Sequence, residues 1–425
     1  MTELQFAPQS ETQPVRHLSD GIDTYKLTMG QLAFEKHPDA QVTFTLKNRN
    51  PEFPLIDYID IPTLQERLDH IRDQGFTKEE IDYYASLKTT DGKDKFTKPY
   101  LNYLSNLRLT EVNIRFDPEL GDLAVDATGP WPNVTFWETL VMSEVSEQYY
   151  INLLKEKGVS LEEVWAEGNR RLDAKIALLK DRPDVKFMDF GTRRRFSAAW
   201  HEHVVRRFMT ELPDNFIGTS NPWLAHKLGL KALGTFAHEL PMVYSAMADK
   251  RGDNPLDGHH EMLDDMLERY PDNTTALSDT YTSKFFFEDF KDQADKWNGL
   301  RHDSGDPFQF GEDVINFYKS LGIDPAEKAV VFSDGLDVPK MIKLTDAFNE
   351  RMHISHGIGT NAVNDLGYRA VNIVMKATNV DGIDTVKLSD NEGKHTGPQA
   401  QVDRYKAGVA ARLAAEGAYN GSVLA

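Results

Sequence analysis

Cysteine is absent from all 425 residues of the sequence. This absence excludes disulfide bonds, thiolate zinc sites, iron–sulfur clusters and thiol nucleophiles. The first ten residues show no basic segment followed by an apolar one, so no secretion signal is predicted. No apolar run approaches the roughly 18 residues that a membrane-spanning helix needs. Together these absences predict a soluble, cytoplasmic protein with no membrane partner.

Positive charge is in short supply, because 48 Lys and Arg residues stand against 67 Asp and Glu residues, a formal net charge of −19. Nucleic acids and anionic membranes bind to basic faces, so this balance argues against both as partners. A cluster of arginines inside so acidic a chain therefore points to a local anionic ligand. The chain length predicts two or three domains.

Short apolar runs dominate the sequence from residue 185 onward, and each ends in Gly, Ser, Thr or Asp. Because most of them lead into an amphipathic helical segment, they predict parallel strands of an α/β fold. Polar strand ends on nearly every unit favour an irregular parallel (β/α) barrel over a doubly wound sheet. The seven predicted strands are Val185–Phe190, Asn215–Ile217, Lys231–Leu233, Thr275–Leu277, Gly299–Leu300, Ala329–Phe332 and His353–His356.

The remaining pattern predicts a second, N-terminal α/β domain over residues 1–140, with the barrel at 141–369 and residues 370–425 returning to the N-terminal domain. Its predicted strands are Gln41–Leu46, Asp122–Ala127 and Asn133–Glu138, joined later by Asn372–Lys376 and Asp384–Leu388. Predicted helices are Ile61–Gln74, Val141–Lys157 and Leu161–Lys180.

The segment Asp189-Phe190-Gly191-Thr192-Arg193-Arg194-Arg195 places three arginines directly after a predicted strand. Guanidinium groups bind phosphate through paired hydrogen bonds, and helix N-termini favour anions. We interpret this segment as a phosphate site; the alternative is a solvated basic turn paired with surface carboxylates.

A second segment, Gly234-Thr235-Phe236-Ala237-His238-Glu239, carries a histidine at a strand end. A neutral imidazole is a competent nucleophile toward a phosphoryl group. Glu239 or Asp279 is a candidate for orienting the ring. The alternative is a purely structural histidine.

The segment Arg301-His302-Asp303-Ser304-Gly305-Asp306-Pro307 suits a sugar phosphate with hydrated Mg²⁺, since Mg²⁺ takes one or two carboxylates. An Asx-type turn that closes a strand explains the same residues equally well. Two further segments, Ser333-Asp334-Gly335 and Gly357-Ile358-Gly359-Thr360, are typical of glycine-rich phosphate loops, although each alone is a weak signal.

Taken together, these segments resemble the nicotinate phosphoribosyltransferase family. The resemblance runs from Asp23–Met29 (DTYKLTM) through DFGTRRRF, GTSN, GTFAHE, RHDSGDP, FSDGLD and GIGT to NIVMK and KLSD, in the order of the family. It covers about residues 20–400. Quinolinate phosphoribosyltransferase, a phosphosugar aldolase and a non-catalytic nucleotide-binding regulator are the competing interpretations.

The resemblance implies a reaction that joins nicotinate to 5-phosphoribosyl diphosphate (PRPP) and yields nicotinate mononucleotide and pyrophosphate, a step of NAD biosynthesis. It implies an ATP-hydrolysing, ligase-type enzyme in which His238 becomes a phosphohistidine, with Mg²⁺ as cofactor and ATP as co-substrate. It also implies the architecture of type II phosphoribosyltransferases, and it is compatible with a homodimer in which Tyr25 reaches the active site of the second subunit.

By the same resemblance, Phe190 and Tyr25 enclose the pyridine ring, and Arg193 binds the diphosphate or the nicotinate carboxylate. Ser220 favours nicotinate over nicotinamide, because relatives that use nicotinamide have an acidic residue there. His238, Glu239, Arg301 and Asp303 are the catalytic candidates, and Asp279 and Asp303 are the candidate Mg²⁺ ligands. The other substrate-binding candidates are Lys47, Arg49, Gly191, Thr219, Ser333, Asp334, Gly335, Gly359 and Thr360.

Overall fold

A computed structural model describes residues 17–271 and 275–415 of the chain. Its strands are β1 (Gln41–Asn48), β2 (Val112–Asp117), β3 (Asp122–Pro130), β4 (Phe187–Asp189), β5 (Phe216–Thr219), β6 (Thr275–Leu277), β7 (Gly299–His302), β8 (Ala329–Phe332), β9 (His353–Ile358), β10 (Ile373–Val380) and β11 (Ile383–Asp384).

Its helices are α1 (Thr24–Lys36), α2 (Ile61–Gln74), α3 (Lys78–Ser86), α4 (Lys98–Ser105), α5 (Trp131–Val134), α6 (Trp137–Lys157), α7 (Leu161–Leu179), α8 (Ala198–Glu211), α9 (Pro222–Leu228), α10 (Glu239–Arg251), α11 (Asp257–Arg269), α12 (Ser283–Phe290), α13 (Pro307–Ser320), α14 (Val338–Phe348), α15 (Thr360–Val363) and α16 (Gln399–Ala415). Within the described residues, no helix is both long and apolar enough to cross a membrane.

The larger sheet is parallel and has the strand order β5-β4-β9-β8-β7-β6. Six of the seven predicted barrel strands form it, which confirms the α/β class and the parallel arrangement. The seventh prediction, Lys231–Leu233, is wrong: Ala232 makes only a single parallel bridge with Thr219. The chain then turns away at Gly234, which lies close to the backbone of Tyr25: a Cβ added to Gly234 would lie 3.3 Å from the Tyr25 amide nitrogen.

The smaller sheet is antiparallel, with the order β11-β10-β1-β3-β2. Strand β10 pairs with β1 over seven residue pairs, from Val42 opposite Val380 to Asn48 opposite Ile373. The segment after residue 370 therefore joins the N-terminal sheet through β10 and β11. Helix α16, in contrast, packs its buried Tyr405 against Tyr281 of the barrel, with ring centroids 5.4 Å apart. The predicted domain boundaries at 140 and 370 stay predictions, and residues 1–16 and 416–425 lie outside the described residues.

Two local predictions in this region are wrong. Asn133–Glu138 is helical rather than extended, because Pro132 stands in the first turn of α5 and the apolar rings around it are fully buried. Asp384–Leu388 is a strand only at Asp384, since Lys387 makes just one isolated bridge, with Thr396. The sequence interpretation missed strand β2, although its Val112, Ile114 and Phe116 alternate with polar residues. It lies at the edge of the sheet, where Val112 is buried and Phe116 is 51% exposed.

Candidate active site

A cavity of about 320 Å³ lies where the loops after β4, β7, β8 and β9 meet the face of β10. Ligand sites of parallel sheets form at the carboxyl ends of the strands, and this cavity has that position. Its lining residues are Arg49, Phe190, Gly191, Arg193, Arg194, His238, Arg301, Asp303, Ser333, Asp334, Gly335, Leu336, Gly357, Gly359, Thr360, Asn361, Asn372, Val374, Lys376, Lys387 and Lys394.

Twelve of the predicted site residues line this cavity: Arg49, Phe190, Gly191, Arg193, His238, Arg301, Asp303, Ser333, Asp334, Gly335, Gly359 and Thr360. Six others do not: Tyr25, Lys47, Thr219, Ser220, Glu239 and Asp279. The sequence interpretation missed three lysines of the lining, Lys376, Lys387 and Lys394. The motifs NIVMK and KLSD carry the first two, since Lys376 ends the one and Lys387 begins the other, so their place in these motifs was the available signal.

Seven of the lining side chains are cationic and two are carboxylates, which gives the cavity a formal excess of five positive charges in a chain of net charge −19. The crowding is visible in the pKa values. Burial, together with the neighbouring Arg193 and Arg49, lowers the pKa of Arg194 to about 9. Burial lowers the pKa of Lys376 to about 8. An anionic ligand would relieve this repulsion, so the cavity is built for polyanions.

The three consecutive arginines have separate environments. Arg193 and Arg194 line the cavity, and Arg194 Nε donates to the carbonyl of Ile373, 2.8 Å away. Arg195 is fully buried and pairs with Glu147, with Nε to Oε1 at 2.7 Å. Only Arg193 and Arg194 of the three are placed to meet a ligand in the cavity, whereas Arg195 anchors the loop to the interior.

Phe190 is held at the cavity wall by its neighbours on two strands. The Cζ of Arg301 lies 5.5 Å from the Phe190 ring centroid. A Cβ on Gly357 would stand 2.4 Å from that ring, so only glycine fits there. Beneath the ring, the Asp189 carboxylate accepts hydrogen bonds from the Gly191 amide and the Thr219 hydroxyl, at 2.8 and 2.6 Å. Thr219 thus helps to fix Asp189, at the start of the loop that carries Phe190 and Gly191, and does not face the cavity.

His238 precedes α10 and is almost completely buried, with 5% of its surface exposed. Its Nδ1 lies 3.0 Å from the Thr280 hydroxyl, and its Nε2 lies 3.0 Å from Asp303 Oδ2. Burial, and next the ammonium of Lys387, lower its pKa to about 4. The imidazole is therefore neutral near pH 7, the form in which a ring nitrogen can act as a nucleophile.

Asp303 connects this histidine to Arg301. Its Oδ1 accepts from Arg301 Nη2 at 2.9 Å and from the Ser333 hydroxyl at 3.0 Å. Burial would raise the pKa of Asp303, but Arg301 and His238 hold it well below its usual range. Arg301 also donates from Nε to the Ser333 hydroxyl, at 2.8 Å. The Arg301 guanidinium, with these partners, fixes the ends of β7 and β8 relative to one another.

Asp279 lies behind His238. Its Oδ2 accepts hydrogen bonds from Ser304, Lys387 and Ser389, whereas the buried Oδ1 has no hydrogen-bond partner among the described residues and lies 3.6 Å from His238 Nε2. Burial would raise the pKa of Asp279, but Lys387 and His238 lower it to about 2. Ligand atoms of His238, Asp279 and Asp303 all lie within 4.8 Å of one another. Two ionised carboxylates with a free oxygen are a donor set that fits Mg²⁺.

Glu239 has a different role from the one its position in the sequence suggests. Its Oε1 accepts hydrogen bonds from Trp131 Nε1 and the Thr135 hydroxyl, both at 2.6 Å, and its Oε2 pairs with Lys26. Both oxygens are thus engaged by the N-terminal part of the chain. The sequence-based assignment of Glu239 as a partner of the His238 ring is corrected: Thr280 and Asp303 hold the ring.

Ser220 also differs from its expected role, because its hydroxyl donates to Asp23 Oδ1 at 2.6 Å and does not face the cavity. Its carbonyl accepts from the Thr24 amide, also at 2.6 Å, which fixes the start of α1 against the barrel. Tyr25 follows, and its hydroxyl accepts a hydrogen bond of 3.5 Å from Arg193 Nη1 of the same chain. Tyr25 therefore contacts a cavity-lining arginine of its own chain, although it does not line the cavity itself.

The N-terminal sheet supplies the opposite wall. Arg49 lines the cavity, and its amide donates to the carbonyl of Asn372 at 2.9 Å. Lys47 is exposed and is not a lining residue, but it lies opposite Val374 in the β1–β10 register and so shares the sheet face of Val374 and Lys376.

The predicted phosphate loops after β8 and β9 lie side by side at the cavity. Asn361 Nδ2 donates to the Leu336 carbonyl at 2.6 Å and connects them. Gly335 has a φ of +55°, a left-handed conformation that favours glycine. Lys394 pairs with Asp334 at 2.8 Å, so this lysine closes the cavity from the segment after β11.

Comparison with known proteins agrees with this geometry. Residues 185–409 match the nicotinate phosphoribosyltransferase (NAPRTase) family, and residues 22–146 match the N-terminal domain of that family. A nicotinate phosphoribosyltransferase of Ralstonia nicotianae is 36% identical over 385 residues, which cover 88% of this chain and 94% of that protein.

Solved structures of this family share the fold of the chain. The crystal structure of nicotinate phosphoribosyltransferase from Porphyromonas gingivalis has a TM-score of 0.84 at 29% identity and covers 93% of this chain and 100% of its own. That of the Vibrio cholerae protein has a TM-score of 0.80 at 27% identity, with 96% of this chain and all of the other covered (100%). The chain belongs to the nicotinate phosphoribosyltransferase family.

Proposed function

We propose that the chain transfers the phosphoribosyl group of PRPP to the ring nitrogen of nicotinate and couples this transfer to ATP hydrolysis through phosphorylation of His238. The observation that carries the proposal is a buried, neutral histidine inside a cavity lined by seven cations. Both substrates of the transfer and ATP are anions, and the family to which the chain belongs is named for this reaction.

In the transfer, the pyridine nitrogen forms a bond to C1 of the ribose while the bond from C1 to the diphosphate oxygen breaks. The nitrogen lone pair is already free, so the step needs no general base. Developing negative charge on the leaving diphosphate needs stabilisation, and cations fixed in a buried wall provide it without reorganising. Arg49, Arg194, Lys376 and Lys394 are the lining cations that we assign to the phosphate groups.

We place the pyridine ring against Phe190 and its carboxylate near Arg193. Phe190 offers an aromatic face, and the only hydrogen bonds of Arg193 within the described residues run from Nη1, to Tyr25 and Glu138. The other edge of the guanidinium is therefore available for a carboxylate, which guanidinium binds through paired hydrogen bonds. This arrangement favours the acid nicotinate over its uncharged amide.

For the coupling, we propose that a His238 ring nitrogen attacks the γ-phosphorus of ATP as the bond to ADP breaks, and that water later releases the phosphate. Thr280 and Asp303 fix the ring orientation, and Asp279 and Asp303 are the residues that would hold Mg²⁺. The ion would neutralise charge on the phosphate oxygens. We place the reaction in the cytoplasm. A homodimer with a shared site stays a prediction.

The test is product formation from nicotinate, PRPP and Mg²⁺, with and without ATP, with nicotinamide assayed in parallel. We expect nicotinate mononucleotide from the acid, a faster reaction with ATP, and loss of only the ATP effect in His238→Ala. His353→Ala, which removes an exposed histidine of β9, is the matched control and should behave as wild type. No product from either pyridine would refute the proposed function, and an ATP effect that survives in His238→Ala would refute the phosphohistidine.

A further inference from the structure

Behind the cavity wall lies a single carboxylate that contacts three cations from three different parts of the fold. Glu138, in the first turn of α6, is 1% exposed. Its Oε1 lies 3.4 Å from Arg193 Nη1 and 3.7 Å from Lys376 Nζ, and its Oε2 lies 2.7 Å from Lys26 Nζ. Arg193 and Lys376 line the cavity, whereas Lys26 is fully buried behind it.

We propose that Glu138 is a positioning residue that holds Arg193 and Lys376, both charged, at the wall where the anionic substrates bind. This inference rests on the proposed function, because the anions in question are the diphosphate and carboxylate groups of its substrates. Glu138 itself does not line the cavity, and it acts through the two cations.

The contacts of Arg193 fit this role. Its hydrogen bonds within the described residues leave from Nη1 alone, toward Glu138 and the Tyr25 hydroxyl. Glu138 thus fixes one end of the guanidinium and leaves the Nε–Nη2 edge for an anion. Asp23 and Asp303 are the other carboxylates whose charge acts on Arg193.

Lys376 depends on Glu138 more strongly. Its surroundings are otherwise cationic, with Arg193, Lys387 and Arg49 all lowering its pKa, and Glu138 is its ion-pair partner. Burial first, and then these cations, lower the pKa of Lys376 to about 8 even with Glu138 opposing them. Without Glu138 the ammonium would lose its proton near neutral pH.

Lys26 keeps a charged partner when the Glu138 carboxylate is removed, which limits the loss of stability. It is shared between Glu138 and Glu239, so a glutamine at position 138 still leaves Lys26 with a charged partner. The variant Glu138→Gln also keeps the size and the hydrogen-bonding atoms of the side chain.

The experiment is calorimetric titration of inorganic pyrophosphate into the full chain at pH 6.5 and pH 8.5. The ratio of variant to wild-type Kd at each pH cancels the titration of pyrophosphate itself. At pH 6.5 the variant loses the repulsion between Glu138 and the bound anion, and this gain offsets the weaker positioning of the cations. The ratio of variant to wild-type Kd should therefore be close to one at pH 6.5. Between pH 6.5 and 8.5 the ratio for Glu138→Gln should rise at least about fivefold, because a fall of about one unit in the Lys376 pKa removes that much of the charged form.

Glu144→Gln is the matched control, since Glu144 is a fully buried carboxylate of the same helix that pairs with Arg67, away from the cavity. Its Kd ratio should be the same at both pH values, and Glu138→Asp should keep the wild-type profile. If the Kd ratio of Glu138→Gln does not change between pH 6.5 and pH 8.5, as expected for Glu144→Gln, the inference is overturned. The proposed function still stands in that case, provided that the wild type binds pyrophosphate.

Two further outcomes are decisive. A wild type that binds no pyrophosphate at either pH counts against the proposed function and the inference together. If Glu138→Gln does not fold, Lys376→Met in the wild-type background replaces it: at pH 6.5 it should weaken pyrophosphate binding at least about fivefold, and unchanged binding overturns the inference.

Discussion

Gly191 packs so closely against Val363, in the segment after β9, that a methyl group added to Gly191 should push the two segments apart. A Cβ added to Gly191 would lie 2.3 and 2.8 Å from the two methyl carbons of Val363 and 2.9 Å from Asp189 Oδ1. Backbone strain is not the cause, because φ at Gly191 is −92°. The methyl groups of Val363 are fully buried and its χ1 is restricted, so they cannot turn aside.

Overpacking of this kind costs about 1–3 kcal/mol of unfolding free energy, and Gly191→Ala should fall in that range. Val363→Ala alone should cost about 2 kcal/mol through the cavity it leaves. In the double variant the new methyl group occupies the vacated space, and only the contact with Asp189 remains. The cost of Gly191→Ala should therefore drop below about 1 kcal/mol in the Val363→Ala background, a coupling of about 1–2 kcal/mol.

The assay is urea unfolding of wild type, the two single variants and the double variant, with KM for nicotinate measured on each. Since Gly191 follows Phe190, we expect KM to rise in Gly191→Ala and to recover in the double variant. Gly229→Ala is the control: its φ of +66° strains an alanine, but nothing lies within 4 Å of the added carbon, so its cost should add to that of Val363→Ala. Additive costs for Gly191→Ala and Val363→Ala, within about 0.5 kcal/mol, would refute the steric reasoning.

Three other outcomes follow from the site. Lys26→Met removes the buried cation that Glu138 and Glu239 share and should cost about 3–5 kcal/mol in urea unfolding, whereas Lys78→Met, which breaks an exposed pair, should change stability by under about 1 kcal/mol. Because the pKa of His238 is lowered to about 4, its ring stays neutral as the pH falls from 7.5 to 6. The rate of His238 phosphorylation in single-turnover assays should therefore not decline over this range, and a decline with an apparent pKa near 6.5 would contradict the prediction. Ser220→Ala removes a hydroxyl that donates to Asp23, so it should lower stability by about 1 kcal/mol and leave the kcat/KM ratio of nicotinate to nicotinamide within about twofold, while a collapse of that ratio would restore Ser220 as a selectivity residue.

The parallel strands and their polar ends were accessible from the sequence because each is a local pattern. A buried strand such as β8 is a short apolar run, and the residue after it, Ser333, faces the site because parallel strands end at one edge. Lys231–Leu233 shows the limit of this reasoning. A lysine, an alanine and a leucine before a glycine suggested a strand, but the chain forms there only the bridge between Ala232 and Thr219, next to the close approach of Gly234 to Tyr25.

The directions of individual side chains in the site could not be predicted from the sequence. His238 and Glu239 are adjacent in the chain, yet the first contacts Asp303 and the second contacts Trp131 and Lys26. The difference follows from α10, which begins at Glu239 and turns its first side chain toward α1 and α5. Adjacent residues at the start of a helix point in directions about 100° apart, so proximity in sequence does not bring them into one site.

The charge of the cavity depends on pairing between distant segments. Arg49 follows β1, Lys376 lies on β10, and the antiparallel register that sets Thr45 opposite Lys376 brings both to one wall. Pairing of β1 with β10 therefore assembles cations from residues more than three hundred apart against the loops of the parallel sheet. Such crowding is stable only if carboxylates or a ligand compensate it. The buried Glu138 supplies compensation from behind, and the two lining carboxylates still leave five excess positive charges on the cavity side. The same acidic chain can thus hold a strongly basic cavity, because the compensating charge is placed where an anionic ligand cannot meet it.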